Sequence, residues 1–320
     1  MTKKKKKPVK KAPTTKKAPT RKKGPTKSHK PVRAGAGDVI DMNGGWAPMA
    51  GQPRNPERRY VFRGNVSAFT GSIYRPEHIA MGVAGSCLSV AGGVSRSATG
   101  RVDYGNGFVT IGSASTIAEG RIDDLDRAKR WTDNRRKIRE DSLPTTTRAG
   151  AEVRDFAIRR NHSFAIAVAT VTVEGHSPRS GSEPGIPVVH AALEGLSVDG
   201  AGITVRFNTE FFQKNDTWSK VRSGVAAHRK TAPMMPPLWE RNGAIYGTIV
   251  KEMRWSGQAP AGSRIDGNAI IVDDLGTFYI GEIIVTDVSR RLTLFRAELG
   301  SPDGGSGGGG DIDMNGGWAP

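Results

Sequence analysis

The chain has 320 residues and a formal charge of +17, with 48 Lys and Arg against 31 Asp and Glu. Its one cysteine, Cys87, excludes an intramolecular disulfide, so a reducing compartment, or indifference to redox conditions, is expected. There is no uncharged apolar run of about 18 residues and no apolar N-terminal segment, so neither a transmembrane helix nor a signal peptide is expected, and no membrane insertion.

The charge belongs to one segment. Residues 1–33 contain fifteen basic side chains and no acidic one: Lys3, Lys4, Lys5, Lys6, Lys7, Lys10, Lys11, Lys16, Lys17, Arg21, Lys22, Lys23, Lys27, Lys30 and Arg33. The other 33 basic residues stand beside all 31 acidic ones, so residues 34–320 carry only +2. Lys10-Lys11-Ala12-Pro13-Thr14 recurs at 16–20 and, with Gly for Ala, at 22–26. Such a stretch has too little apolar surface to offset the entropy of ordering, and its prolines disfavour helix, so an extended, disordered arm is expected. A polycation without fixed geometry suits a nucleic-acid backbone, where each neutralised phosphate releases a counterion. These fifteen residues are the candidate nucleic-acid contacts. No aromatic side chain is interleaved to stack on bases, so no sequence readout is expected. A solubilising tail or a nuclear localisation signal is the competing reading.

Residues 34–59 read as a Gly- and Pro-rich linker. Within it, Ile40 to Pro48 (IDMNGGWAP) is identical to Ile312 to Pro320, the last nine residues. The second copy follows Gly304-Gly305-Ser306-Gly307-Gly308-Gly309-Gly310, which reads as a flexible tether, so 301–320 is expected to lie outside the folded domain. A tethered peptide with buriable Ile, Met and Trp looks like a ligand for a groove. Ile40, Met42, Trp46, Ile312, Met314 and Trp318 are therefore the candidate interface residues, on the same subunit or on neighbours. A recent terminal duplication without function is the alternative.

From Tyr60 the signals turn to β structure. Met81–Val90 reads as a strand. Arg101–Tyr104 and Phe108–Ile111 read as a hairpin across Gly105-Asn106-Gly107. Ile122–Asp141, dense in charge and poor in Gly, predicts one inserted helix. Ser163–Val173, Val188–Val198 and Gly202–Phe207 follow as strands, the last two hinged at Asp199-Gly200. Gln213–Asn242 reads as irregular. Ala244–Trp255, Ala269–Val272, Thr277–Asp287 and Arg291–Leu299 close the series. Thr277–Asp287 is read as one strand of unbroken alternation. Short connections and uneven loops favour an all-β, antiparallel β-sandwich of viral jelly-roll type over residues 60–300.

Chemical motifs are sparse. Cys87 lies in an apolar run and reads as a small buried residue. His29, His78, His162, His176, His190 and His228 show no metal-ligand spacing, and no Walker-type loop is present. No cofactor is expected. Asp123, Asp124, Asp273 and Asp274 are the weak candidates for a structural Ca²⁺, with solvated acids as the competing reading.

The acid-free arm 1–33, the Gly/Pro linker 34–59 and the β-rich body to about residue 300 together resemble capsid proteins of small non-enveloped icosahedral viruses, of nodavirus-like and tombusvirus-like type. The resemblance is architectural and rests on no single motif; the duplicated nonapeptide belongs to no such pattern. It implies a structural protein rather than an enzyme. Its partners would be a single-stranded genome, RNA before DNA, and many copies of itself in an icosahedral shell. Its place would be the virion and the host cytoplasm, with the nucleus as a transient site. A non-viral nucleic-acid-binding or chromatin protein with a histone-like tail is the alternative, and an enzyme localised by its basic tail is a second.

Overall fold

The structure is a computed structural model and describes residues 60–74, 79–123, 143–177, 183–231, 238–300 and 305–318. The chain divides into two compact units, Met1–Asn55 and Pro56–Pro320, and every described residue lies in the second. The arm, the first nonapeptide and most of the expected helix at 122–141 lie outside the described residues.

Strands β1 (Tyr60–Ile73) and β2 (Ile79–Cys87) begin a first sheet. The chain then crosses to a second sheet and builds β3 (Gly93–Thr99), β4 (Val102–Tyr104), β5 (Val109–Ile111), β6 (Ser113–Ile122), β7 (Thr145–Arg159) and β8 (Ser163–Ser177). It continues there with β9 (Val188–Glu194), β10 (Ser197–Val198) and β11 (Ala201–Phe207). Helices α1 (Thr209–Lys214) and α2 (Trp218–Thr231) follow. The last part returns through β12 (Trp239–Arg241) and β13 (Ala244–Thr248) in the first sheet and β14 (Val250–Trp255) in the second. It ends in the first sheet with β15 (Ser263–Asp266), β16 (Ala269–Val272), β17 (Gly276–Val285), β18 (Ser289–Leu299) and β19 (Gly305–Trp318).

The result is the expected antiparallel sandwich. Its first sheet runs β12-β13-β17-β18-β19-β1-β2, and its second runs β14-β11-β10-β8-β7-β5-β4, with β6 beside β7 and β9 beside β8. Sequential strands mostly pair within a sheet, so the connectivity is a meander. Ile249 is the corner between β13 and β14, where a nearly continuous strand leaves one sheet for the other.

Both sheets are crossed by a row of irregular residues. In the first sheet the pairing registers align Ala84, Ala68, Gly310, Leu294 and Gly281. Alternate members have positive φ: Ala84 at 46°, Gly310 at 63° and Gly281 at 62°. In the second sheet Gly112, Asp155, Ala167 and Gly195 align likewise, with Asp155 at 52° and Gly195 at 62°. A bulge on one strand alone would shift its register against its neighbours. Here every strand in the row carries one such residue, so the registers continue unchanged across it. What changes is the alternation: β18 buries Arg290, Leu292 and Leu294, then Phe295 and Ala297.

This row corrects two expectations. The alternation in Thr277–Asp287 reverses at Gly281, so Phe278 and Ile280 are buried before it, and Ile283 and Val285 after it. The same reversal at Ala84 places Ser86 and Leu88 inside and leaves Cys87 exposed, not buried. Ser86 bonds Thr116 across the sandwich, Oγ to Oγ1, at 2.8 Å.

Five of the buried phenylalanines form an aromatic cluster between the sheets. Phe69, Phe278 and Phe295 come from the first sheet, Phe156 and Phe164 from the second, and each is at most 1% exposed. Phe164 and Phe278 stack at 3.8 Å between ring centres, and Phe156 meets Phe295 at 4.8 Å and Phe69 at 5.1 Å. Burying such a ring contributes about 1.5–3 kcal/mol, so the cluster is a main tie between the sheets.

The stretch expected to be irregular from Gln213 contains the whole of α2 instead. Trp218, Val221 and Val225 give it an apolar stripe at helical spacing. Gly224 lets α2 approach α1, since a Cβ there would lie 3.0 Å from the Phe211 ring. Val188–Val198 is broken at Gly195, where positive φ separates β9 from β10.

Candidate functional site

Of the residues singled out from sequence, Ile312, Met314 and Trp318 are brought together, on one strand. The Gly-rich lead-in and the second nonapeptide are not a tether. Residues 305–318 form β19, paired with β1 along its length and with β18 as far as Asn315. Ile312 is 0% and Met314 1% exposed, so both lie in the core of their own chain. Ile312 stands opposite Val66 and Leu292, Met314 opposite Gly64 and Arg290, and Trp318 opposite Tyr60. The slot that holds β19 therefore has a main-chain ladder on each side and two apolar side-chain positions facing inward.

The glycines make this strand possible. A Cβ on Gly309 would lie 2.1 Å from Phe295 Cζ, and one on Gly307 would lie 2.8 Å from Phe69 Cζ. The rings of the flanking strands fill the volume that β19 leaves empty. Gly310 is needed for a second reason, its positive φ in the irregular row. Gly175 on β8 makes room for Met314, whose sulfur lies 3.1 Å from where a Cβ would stand.

Charge around the slot is mixed. Asp311 accepts a bond from the Thr293 hydroxyl, and burial holds its carboxyl above the usual range despite that bond and nearby Arg291. Arg296 donates to both oxygens of Glu282, at 2.6 and 3.0 Å, and lies 4.2 Å over the Tyr279 ring. The Glu282 bonds raise its pKa further. Arg290, 2% exposed, donates to the carbonyls of Thr286 at 3.1 Å, Ser289 at 3.3 Å and Asp216 at 3.0 Å. Burial pushes its pKa down to about 10, against the pull of Glu183 and Asp216. These contacts tie β18 to the loop between α1 and α2.

Catalytic and metal constellations are not assembled among the described residues. No three His, Cys, Asp or Glu side chains gather to hold a metal. Asp123 accepts from Arg121 at 3.0 Å and Thr146 at 2.7 Å. Asp273 and Asp274 form the turn before β17, and Asp124 is outside the described residues. His162, Ser163 and Asp199 meet, but both donors converge on the carboxylate: His162 Nδ1 at 2.7 Å and the Ser163 amide at 2.7 Å. Burial would raise the Asp199 pKa, yet these bonds outweigh it and lower it. With Ser163 bonded to Asp199 and not to His162, the trio caps a turn and lacks the nucleophile–base bond of a triad.

The fifteen arm residues, with Ile40, Met42 and Trp46, lie outside the described residues. What sequence reasoning missed is that the Gly-rich run is itself the interior of a strand. The available signal was the buriable Ile and Met that follow it at strand spacing.

Residues 60–235 match the model of a domain of unknown function, DUF8256. The chain belongs to that family. The match starts with β1 and ends just after α2, so the DUF8256 region includes β1 and β2 but not β18 and β19, which complete their sheet. No curated protein and no solved structure matches the chain. No described helix is long and apolar enough to cross a membrane.

Proposed function

We propose that this chain is a structural shell subunit that packages a single-stranded nucleic acid, RNA before DNA, through residues 1–33. The observation that carries the reading is the segregation of charge: +15 on 33 residues and +2 on the remaining 287. A flexible genome repels itself and has no fixed path, so it is best neutralised by many mobile cations. A near-neutral body lets copies pack side by side without mutual repulsion. The antiparallel sandwich supplies a rigid body of suitable size; the proposal takes nothing from its connectivity. Sixty copies would present on the order of a thousand arm charges, the scale of a small genome's phosphates. In this reading the protein is a virion component.

The test is sedimentation of the full chain and of a variant lacking residues 1–33 on a sucrose gradient, with imaging of the fast fraction. Closed, uniform particles that contain nucleic acid, and that are empty or absent without the arm, are expected. A slow monomer that binds nucleic acid only through its arm would contradict the shell reading.

A further inference from the structure

We propose that residues 40–46 are a second occupant of the position that 312–318 hold between β1 and β18. The inference stands independently of the shell reading. It begins from sequence: Ile40–Trp46 and Ile312–Trp318 are identical, so a slot that accepts one accepts the other. Ile40 and Met42 would fill the core positions of Ile312 and Met314. Upstream, the same offset places Gly35 and Gly37 at the positions of Gly307 and Gly309, the two where a Cβ would meet Phe69 and Phe295. Val39 falls at Asp311 and removes the carboxylate that would crowd a Cβ three positions back, where Ala36 replaces Gly308. Arg33 falls at Gly305, where a Cβ would lie 2.5 Å from the Ser72 carbonyl oxygen, so the match begins after residue 33. Within it one residue does not fit. Asp38 falls at Gly310, where its type tolerates the positive φ but its Cβ would lie 2.9 Å from Leu294 Cβ.

The chain can make the exchange within itself. Trp318 stands opposite Tyr60, so Trp46 in that place would form a hairpin with β1 across residues 47–59. The resident strand closes its own hairpin with β18 across residues 300–304. By loop length alone the longer connection is disfavoured by only about fourfold. Together with Asp38, this makes β19 the preferred occupant and residues 40–46 the reserve. When residues 40–46 enter, the C-terminal strand is released with its Ile and Met available to complete a second copy of the chain.

Disulfide trapping in the full chain tests this. Asn65 and Asp313 are exposed partners on β1 and β19, and Asp41 is the counterpart of Asp313. Asn65→Cys with Asp41→Cys, in a Cys87→Ser background because Cys87 also stands opposite Asn65, is compared with Asn65→Cys and Asp313→Cys. A 41–65 bond is expected, and its yield should rise several-fold when Ile312→Asp and Met314→Asp weaken the resident strand. An intrachain bond and an interchain bond both support the proposal and distinguish exchange within a chain from exchange between copies. A second measurement uses thermal unfolding. Ile40→Asp with Met42→Asp should leave the melting temperature unchanged, Ile312→Asp with Met314→Asp should lower it, and all four together should abolish the transition. Absence of the 41–65 bond in both backgrounds while the 65–313 bond closes, or loss of the transition with Ile312→Asp and Met314→Asp alone, would overturn it.

Discussion

Gly309 and Asp311 are two residues apart, yet they constrain β19 in opposite ways. At Gly309 the limit is volume, since the Phe295 ring occupies the space of any Cβ. Gly309→Ala is expected to destabilise by about 3 kcal/mol, the upper range for overpacking, measured by denaturant unfolding. Phe295→Leu alone should also destabilise, but the double variant should lose less than the two losses added, because the smaller side chain vacates the clash. At Asp311 the limit is charge. Burial, aided by the like charge of Glu282, raises its pKa in the folded protein above the unfolded value of about 3.9, despite the Thr293 bond and nearby Arg291 and Arg296. The native state then holds this proton more tightly, so its contribution to stability falls as pH rises from about 4 through the folded pKa. Asp311→Asn keeps an acceptor for Thr293 without the charge. Its melting temperature should exceed that of the parent at pH 7, with the difference shrinking towards pH 4.

At the scale of elements, the alternation in the sequence located most strands, and their types were legible because Val, Ile and Phe recur at strand spacing between turn residues. The hairpin at Gly105-Asn106-Gly107 forms as expected, all three at positive φ. The irregular rows were not legible, because Ala84 carries no turn signal of its own, and Asp155, a type that tolerates positive φ, stands alone inside a long strand. A reversal of alternation then turns an inside residue out, as at Cys87. That thiol should react stoichiometrically with a thiol reagent in the folded protein. Protection until denaturation would place it in a contact between copies or contradict the reversal at Ala84. β19 was misread for a related reason: glycine's low strand preference is overridden when aromatic rings from both neighbours fill the missing volume. Only register and packing, which are long-range, reveal that. Of the candidate site, the nonapeptide was legible as a repeated unit, while its place as an interior strand was not.

For the whole molecule, β19 joins β18 to β1, so the first sheet is continuous only when residues beyond the DUF8256 match are in place. The body that results carries balanced charge, and the excess remains on residues 1–33. We propose that this excess sets how much nucleic acid each subunit holds. The most direct measurement is the nucleotide content per subunit of purified particles, from absorbance and mass. The comparison is with a full-length variant in which Lys10, Lys11, Lys16, Lys17, Lys22 and Lys23 are Ala, which removes six of the fifteen arm charges. Content per subunit should fall in proportion, by roughly two fifths, with the particle and the folded body unchanged. Unchanged content would contradict the account and place the nucleic-acid contacts on the body.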